Sequence, residues 1–211
     1  MKHCKAFSVF LSLVLTLGIT TQKVHAYGIG LASSPLESEA KLLSAELTGI
    51  TSTGGGVGMQ IRYTQKLDEK GTMDAGLGIS GGEHSARLFA GYDFEILPDY
   101  ENQPRSSIKV FVENSKEFRD RRNILGLAPT FSKGFSFWEK EAFPYISFPY
   151  AVSLNGNNNS YNTTLSANIG VSGIVPSDSG TNKQLTASAE AIFGLKDSFT
   201  GLFLGIAYPI E

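Results

Sequence analysis

The sequence is poor in the residues that build reactive or metal sites. It contains one cysteine and three histidines in 211 residues, and Cys4, His3 and His25 all lie within the first 26 positions. Without a second cysteine the chain cannot close an internal disulfide, and His84 alone cannot provide a multi-histidine metal site. The sequence therefore predicts no metal, no cofactor and no thiol chemistry.

Long apolar runs and basic charge are also scarce. One apolar run extends from Phe7 to Gly18, and no later segment approaches the roughly 20 apolar residues that a transmembrane helix needs. The 18 Lys and Arg are outnumbered by 20 Asp and Glu, and three of the lysines lie in the first 26 residues. This balance argues against nucleic acid as a partner, because phosphate binding requires a basic surface.

The first 26 residues are typical of an export signal. Positive charge precedes the apolar run, and Val24-His25-Ala26 places small side chains at the two positions that a signal peptidase inspects. We therefore predict a signal peptide over 1–26, an N-terminal segment over 27–41 and a β-domain over 42–211. Residues 27–41 could form a first strand or a short helix and loop.

The rest of the chain is a series of short alternating segments. Turn-forming clusters such as Asp68-Glu69-Lys70-Gly71 separate segments in which apolar and polar side chains alternate. The ten segments are 42–52, 56–67, 71–80, 85–97, 106–114, 122–132, 141–153, 161–174, 184–194 and 199–209. Such spacing predicts an antiparallel meander with short connections.

Each segment has one apolar and one polar face. In 56–67, Met59 and Ile61 alternate with Gln60 and Arg62. Alternation does not reveal which face points inward, because a soluble sandwich buries the apolar face whereas a membrane barrel turns it toward lipid. Segments longer than the usual five or six residues favour the barrel, as do the glycines on the polar face.

Aromatic residues are concentrated in one part of the chain. Rings at the level of the lipid headgroups show this kind of clustering, and the alternative is a local aromatic core. The predicted membrane-interface aromatics are Phe131, Phe135, Phe137, Trp138, Phe143, Tyr145, Phe148 and Tyr150.

The final segment, Gly201 to Ile210, alternates apolar residues up to Tyr208 and Ile210. With the signal peptide and the alternating strands, it resembles the small outer-membrane β-barrel proteins of Gram-negative bacteria. The resemblance implies an all-β fold, a closed antiparallel up-and-down transmembrane β-barrel of about ten strands, with eight as the alternative. It also implies a location in the cell outer membrane, contact with outer-membrane lipid, and recognition of the C-terminal strand by the barrel-insertion machinery.

In a barrel the polar face lines the lumen, where charges must pair or meet water. We expect a charge network that fills and stiffens the lumen; the alternative is a set of exposed charges on a soluble sheet. The predicted network consists of Arg62, Lys66, Asp74, Arg87, Asp93, Glu95, Lys109, Glu113 and Glu190.

One tripeptide, Glu83-His84-Ser85, invites comparison with outer-membrane lipid A deacylases. In those enzymes one residue separates the histidine from the serine, whereas here the two are adjacent and would point to opposite sides of a strand. We therefore predict no catalytic residues and a structural or interaction role, or a narrow passive pore. The alternative function is a soluble periplasmic β-sandwich or lipocalin-like barrel that binds an apolar ligand.

Overall fold

The computed structural model describes most of the chain beyond the predicted signal peptide. The described residues are 35–52, 55–81, 84–117, 120–137, 140–157, 159–175 and 185–210. The predicted signal peptide (1–26) and residues 27–34 lie outside them. Residues 35–40 form a turn rather than a helix, with the Ala40 N–H donating to the Glu37 carbonyl at 3.1 Å. In the described ranges no helix has the length and apolar character needed to cross a membrane.

The described residues form twelve strands. They are β1 (Lys41–Ile50), β2 (Val57–Lys66), β3 (Gly71–Ser80), β4 (His84–Leu97), β5 (Arg105–Glu117), β6 (Asp120–Ser132), β7 (Phe135–Phe137), β8 (Lys140–Ser147), β9 (Tyr150–Asn155), β10 (Tyr161–Val175), β11 (Leu185–Lys196) and β12 (Gly201–Ile210).

The sheet closes on itself. Each strand from β1 to β5 pairs antiparallel with the next, β10 and β11 do the same, and β12 pairs with β1 from Lys41 opposite Ile210 to Ile50 opposite Gly201. Strands β8 and β9 act as one barrel strand, because both pair with β6 on one side and with β10 on the other. Short β7 pairs only with β8 among the described strands. The closed antiparallel barrel therefore has ten strands, as predicted, and the alternative of eight is wrong.

Two prolines lie where the barrel wall is interrupted. Pro149 falls between β8 and β9, and Pro129 lies in the gap of β6 where pairing passes from β9 to β8. Their carbonyls still accept backbone bonds, from Ser166 to Pro149 and from Phe148 to Pro129, both at 3.1 Å. A missing N–H is tolerated at such a break because no ladder bond depends on it.

The apolar face points outward. Ile61, Leu77 and Ile169 are 53%, 58% and 52% exposed, whereas Arg62 is 1% exposed. This is the reverse of a soluble protein, and one closed sheet leaves no second layer to cover the apolar side chains. The β-sandwich alternative is therefore wrong, and the polar interior does not suit the apolar ligand of a lipocalin-like barrel.

Inward-facing aromatic rings cover glycines on the neighbouring strand. Phe89 lies against Gly76, and Phe111 lies against Gly126 so closely that a Cβ on either glycine would overlap the ring. Both rings belong to one apolar cluster inside the barrel. The missing glycine side chains thus make room for bulky residues in a narrow lumen.

Candidate functional site in the barrel lumen

Arg62 lies at the centre of the largest charge cluster. Its Nε donates to Glu46 Oε1 at 2.8 Å and its Nη1 donates to Asp74 Oδ2, so that one guanidinium joins the inner faces of β1, β2 and β3. Its Cζ lies 4.7 Å from the centre of the Phe89 ring, within the range of a cation–π contact. Its cross-strand partner is Gly76, against which the Phe89 ring lies.

The cluster continues across the lumen. Lys109 on β5 donates from Nζ to Asp74 Oδ2 on β3 at 2.7 Å, although β4 lies between these two strands. Glu46, Arg62, Asp74 and Lys109 are all at most 4% exposed. Removing isolated charges from water costs several kcal/mol each, so burial of these groups requires that they alternate in sign as they do here.

Two further ion-pair groups line β4 and β5. Arg105 donates from Nη2 to Asp93 Oδ2 and from Nε to Glu95 Oε2, both at 2.7 Å. Nearer the opposite end of the same strands, Arg87 Nη2 donates to Glu113 Oε2 at 2.9 Å. The register between β4 and β5 therefore places Arg105 near two carboxylates and Arg87 near one, each at the same height along the barrel axis.

A second group of contacts surrounds Glu190 on β11, which accepts hydrogen bonds from two neutral side chains. Tyr145 on β8 donates its hydroxyl to Glu190 Oε2, and Asn168 on β10 donates from Nδ2 to Oε1 at 2.6 Å. Asn168 Oδ1 in turn accepts from the Ser166 hydroxyl at 3.0 Å. Hydrogen bonds to an ionised carboxylate are stronger than neutral ones, so Tyr145 and Asn168 stabilise the buried charge.

All nine charges of the predicted network lie on the inner side of the barrel. Eight of them take part in the contacts above, and Lys66 has no ion pair or side-chain hydrogen bond with any described residue. The sequence prediction missed Glu46 and Arg105. Glu46 lies two positions after Ser44 on β1 and therefore on the same, inner face, and this alternation could have identified it. Arg105 lies one residue before its predicted segment.

The aromatic prediction needs a correction. Four of the eight, Phe131, Phe135, Phe148 and Tyr150, are exposed on the outer surface, and Phe137 and Trp138 fall outside the residues whose side chains the structure describes. Tyr145 and Phe143 instead point into the barrel, and Tyr145 is only 4% exposed. Both lie at odd positions of β8, where the inner face is odd, while Tyr150 lies at an even position.

The remaining candidates are the Glu83-His84-Ser85 tripeptide and a metal site. Glu83 and the side chains of His84 and Ser85 fall outside the described residues, so their interpretation as a hairpin tip stays a prediction. Within the described ranges, no three His, Cys, Asp or Glu side chains are grouped so as to hold a metal ion.

A loop contact joins the β4–β5 connection to the β6–β7 connection. Asp99 accepts from Lys133 Nζ and, at Oδ2, from the Gly134 N–H at 2.6 Å. Partial burial would raise the pKa of this carboxyl, but the Lys133 and Gly134 hydrogen bonds outweigh it and leave the pKa lowered. This contact therefore favours the folded barrel at neutral pH and weakens as the pH falls through the lowered pKa of Asp99.

Solved structures that are similar to this chain include β-barrels. No family model matches the sequence, and no curated protein matches it. One similar solved structure is described as "De novo design of transmembrane beta-barrels", with 12% identity, a TM-score of 0.38, and coverage of 84% of this chain and 100% of that chain. Another is the N-terminal β-barrel domain of Pseudomonas aeruginosa OprF, with 11% identity, a TM-score of 0.34, and coverage of 82% and 98%.

The closed sheet, its apolar outer face and its paired interior charges decide the fold. The chain has an outer-membrane-type β-barrel fold. The barrel has a polar, side-chain-filled lumen, and the predicted resemblance to small outer-membrane barrels is confirmed at the level of the fold.

Reversing the charge of Arg62 should destabilise the barrel. In R62E, Glu46 and Asp74 lose their shared cation and face a third carboxylate, and breaking a buried pair costs about 3–5 kcal/mol. Urea unfolding in detergent, followed by heat-modified gel mobility, measures the change. The matched control is R121E, because Arg121 is exposed; equal stability of R62E and R121E would refute the importance of the cluster.

Tyr145 should matter through its hydroxyl rather than its ring. Y145F removes a hydrogen bond to a charged acceptor and should lower the free energy of unfolding by about 1.5–3 kcal/mol. Y150F removes the same atom from an outward-facing tyrosine nearby and should change it little. If the two variants unfold at the same urea concentration, Glu190 does not depend on Tyr145.

Proposed function

We propose that this protein resides in a bacterial outer membrane as a sealed barrel with a structural or interaction role. The observation that carries the proposal is the inverted pattern of the barrel, with apolar side chains outside and paired charges inside. A membrane barrel requires this pattern, since lipid solvates only the outer face.

The outer surface supports membrane insertion. Every barrel strand contributes exposed apolar side chains, among them Leu47, Met59, Leu125 and Leu204, each at least 49% exposed. Soluble monomers rarely expose contiguous apolar patches larger than a few hundred Å². A band of this kind around a whole barrel is stable when acyl chains cover it.

The lumen supports a sealed barrel rather than an open pore. Arg62, Phe89, Lys109, Phe203 and Asn168 lie inside it, and each is at most 2% exposed. Small barrels leave little space beyond their inward side chains. Solute passage would require these paired groups to separate, which the ion-pair network opposes.

The depth dependence of a charge on the outer face tests membrane insertion. Leu77 is outward-facing in the middle of β3, whereas outward-facing Leu67 lies at the turn after β2. In lipid vesicles, L77R should lower the free energy of unfolding by about 2–4 kcal/mol and L67R by about 0–1 kcal/mol. Equal effects, together with release of the wild type into the osmotic-shock fluid, would indicate a soluble periplasmic protein instead.

Conductance tests the seal. Reconstituted in a planar bilayer at neutral pH, the wild-type barrel should produce no discrete current steps, because its lumen is filled. Folded protein is verified by heat-modified mobility, and heat-unfolded protein serves as the control. Reproducible steps from the folded sample alone would favour the narrow passive pore.

A further inference from the structure

A cavity of about 530 Å³ opens at the end of the barrel where the β2–β3 and β4–β5 connections lie. Ligand pockets in proteins have volumes of about 300–1,000 Å³. Inward-facing Lys66, Thr72, Ser132 and Phe143 form part of its wall, and Leu36 covers it from the segment before β1. We call this cavity the Lys66 vestibule.

Lys66 is a mostly buried cation without a directly contacting anion among the described residues. It is 8% exposed and lines the vestibule, yet no described residue accepts a hydrogen bond from its ammonium or forms an ion pair with it. The N–H groups of Lys70 and Gly71 donate to Asp68 Oδ1 at 2.8 and 2.6 Å and lower the pKa of Asp68. The charge of Lys66 lowers this pKa further, so Asp68 attracts Lys66 without contacting it. An anion entering from outside would give this ammonium a direct contact.

A hydroxyl donor lies beside this ammonium. Thr72 is the cross-strand neighbour of Lys66 and is also 8% exposed, and its hydroxyl has no hydrogen-bond partner among the described residues. Ammonium and hydroxyl donors on one wall suit the two oxygens of a carboxylate. Arg105 lines the same cavity, but Asp93 and Glu95 already engage its guanidinium.

The mouth of the vestibule has the opposite charge. Glu69 and Glu141 line it as exposed carboxylates, and neither forms an ion pair within the part of the chain that the structure describes. They repel a simple anion and attract a cation. Between these charges, Leu36 and Phe143 supply apolar surface.

We propose that the Lys66 vestibule binds a small zwitterion of the α-amino acid type with an apolar side chain. Its carboxylate contacts Lys66 and Thr72, and its ammonium faces Glu69 and Glu141. The apolar side chain packs between Leu36 and Phe143.

Calorimetric titration of the folded full-length barrel in detergent at neutral pH tests the proposal. The probe is L-leucine, and its single-charge analogues are 4-methylpentanoate, which lacks the amine, and 3-methylbutylamine, which lacks the carboxylate. Leucine should bind, and each analogue should bind at least about tenfold more weakly. Absence of leucine binding, or 4-methylpentanoate binding as tightly as leucine, would overturn the proposal.

Variants assign the binding to Lys66. K66M should weaken leucine binding at least about tenfold, whereas K66R, which keeps the charge, should retain most of it. K116M is the matched control, because Lys116 is exposed at the opposite end of the barrel. T72V provides a second test and should weaken binding severalfold even if K66M fails to show heat-modified mobility. If K66M binds leucine as tightly as the wild type, the assignment to Lys66 is refuted. If K66M does not fold, unchanged leucine binding by T72V refutes it.

Discussion

The structure depends on the pairing of Arg62 with Glu46 and Asp74 inside a closed sheet. A barrel whose outer face is apolar must place its polar residues in a narrow lumen, where little water is available to solvate a charge. The guanidinium is satisfied because its two carboxylates come from the strands on either side of it, and Lys109 balances the second of them. The same side chains that satisfy one another also occupy the space that a pore would need.

A narrow lumen can hold large side chains only if the backbone positions opposite them are glycines, which have no side chain. Gly76 and Gly126 provide this space for Phe89 and Phe111, and Gly170 does so for Tyr145. The hydroxyl of Tyr145 on β8 then reaches the carboxylate of Glu190 on β11, so the space left by a glycine on β10 allows a hydrogen bond to a buried carboxylate. Glycine, aromatic and charged residues of the inner face therefore depend on one another, because a substitution at one of them alters the packing or hydrogen bonding of its neighbours.

Charge satisfaction differs along the barrel axis, and this difference separates the two proposed roles. In the middle, cations and carboxylates pair within the protein, which favours a seal. At the end that holds the β2–β3 turn, Lys66 lies in a cavity without an ion-pair partner among the described residues, while Glu69 and Glu141 remain exposed at its mouth. Binding at this end would leave the paired centre undisturbed, so a sealed barrel and a ligand-binding vestibule are compatible in one chain.

The sequence by itself determined the number of strands and the residues that share a face, because side chains alternate with a period of two and turn-forming clusters mark each end. The ten alternating segments correspond to the ten barrel strands. Tertiary structure alone decided which side chains contact one another, because Asp74 and Lys109 are 35 positions apart in the sequence. It also decided that Tyr145 points inward and Tyr150 outward, although both are tyrosines. Alternation is the same whichever face points inward, so only closure of the sheet and its register establish the inner face and bring particular side chains together.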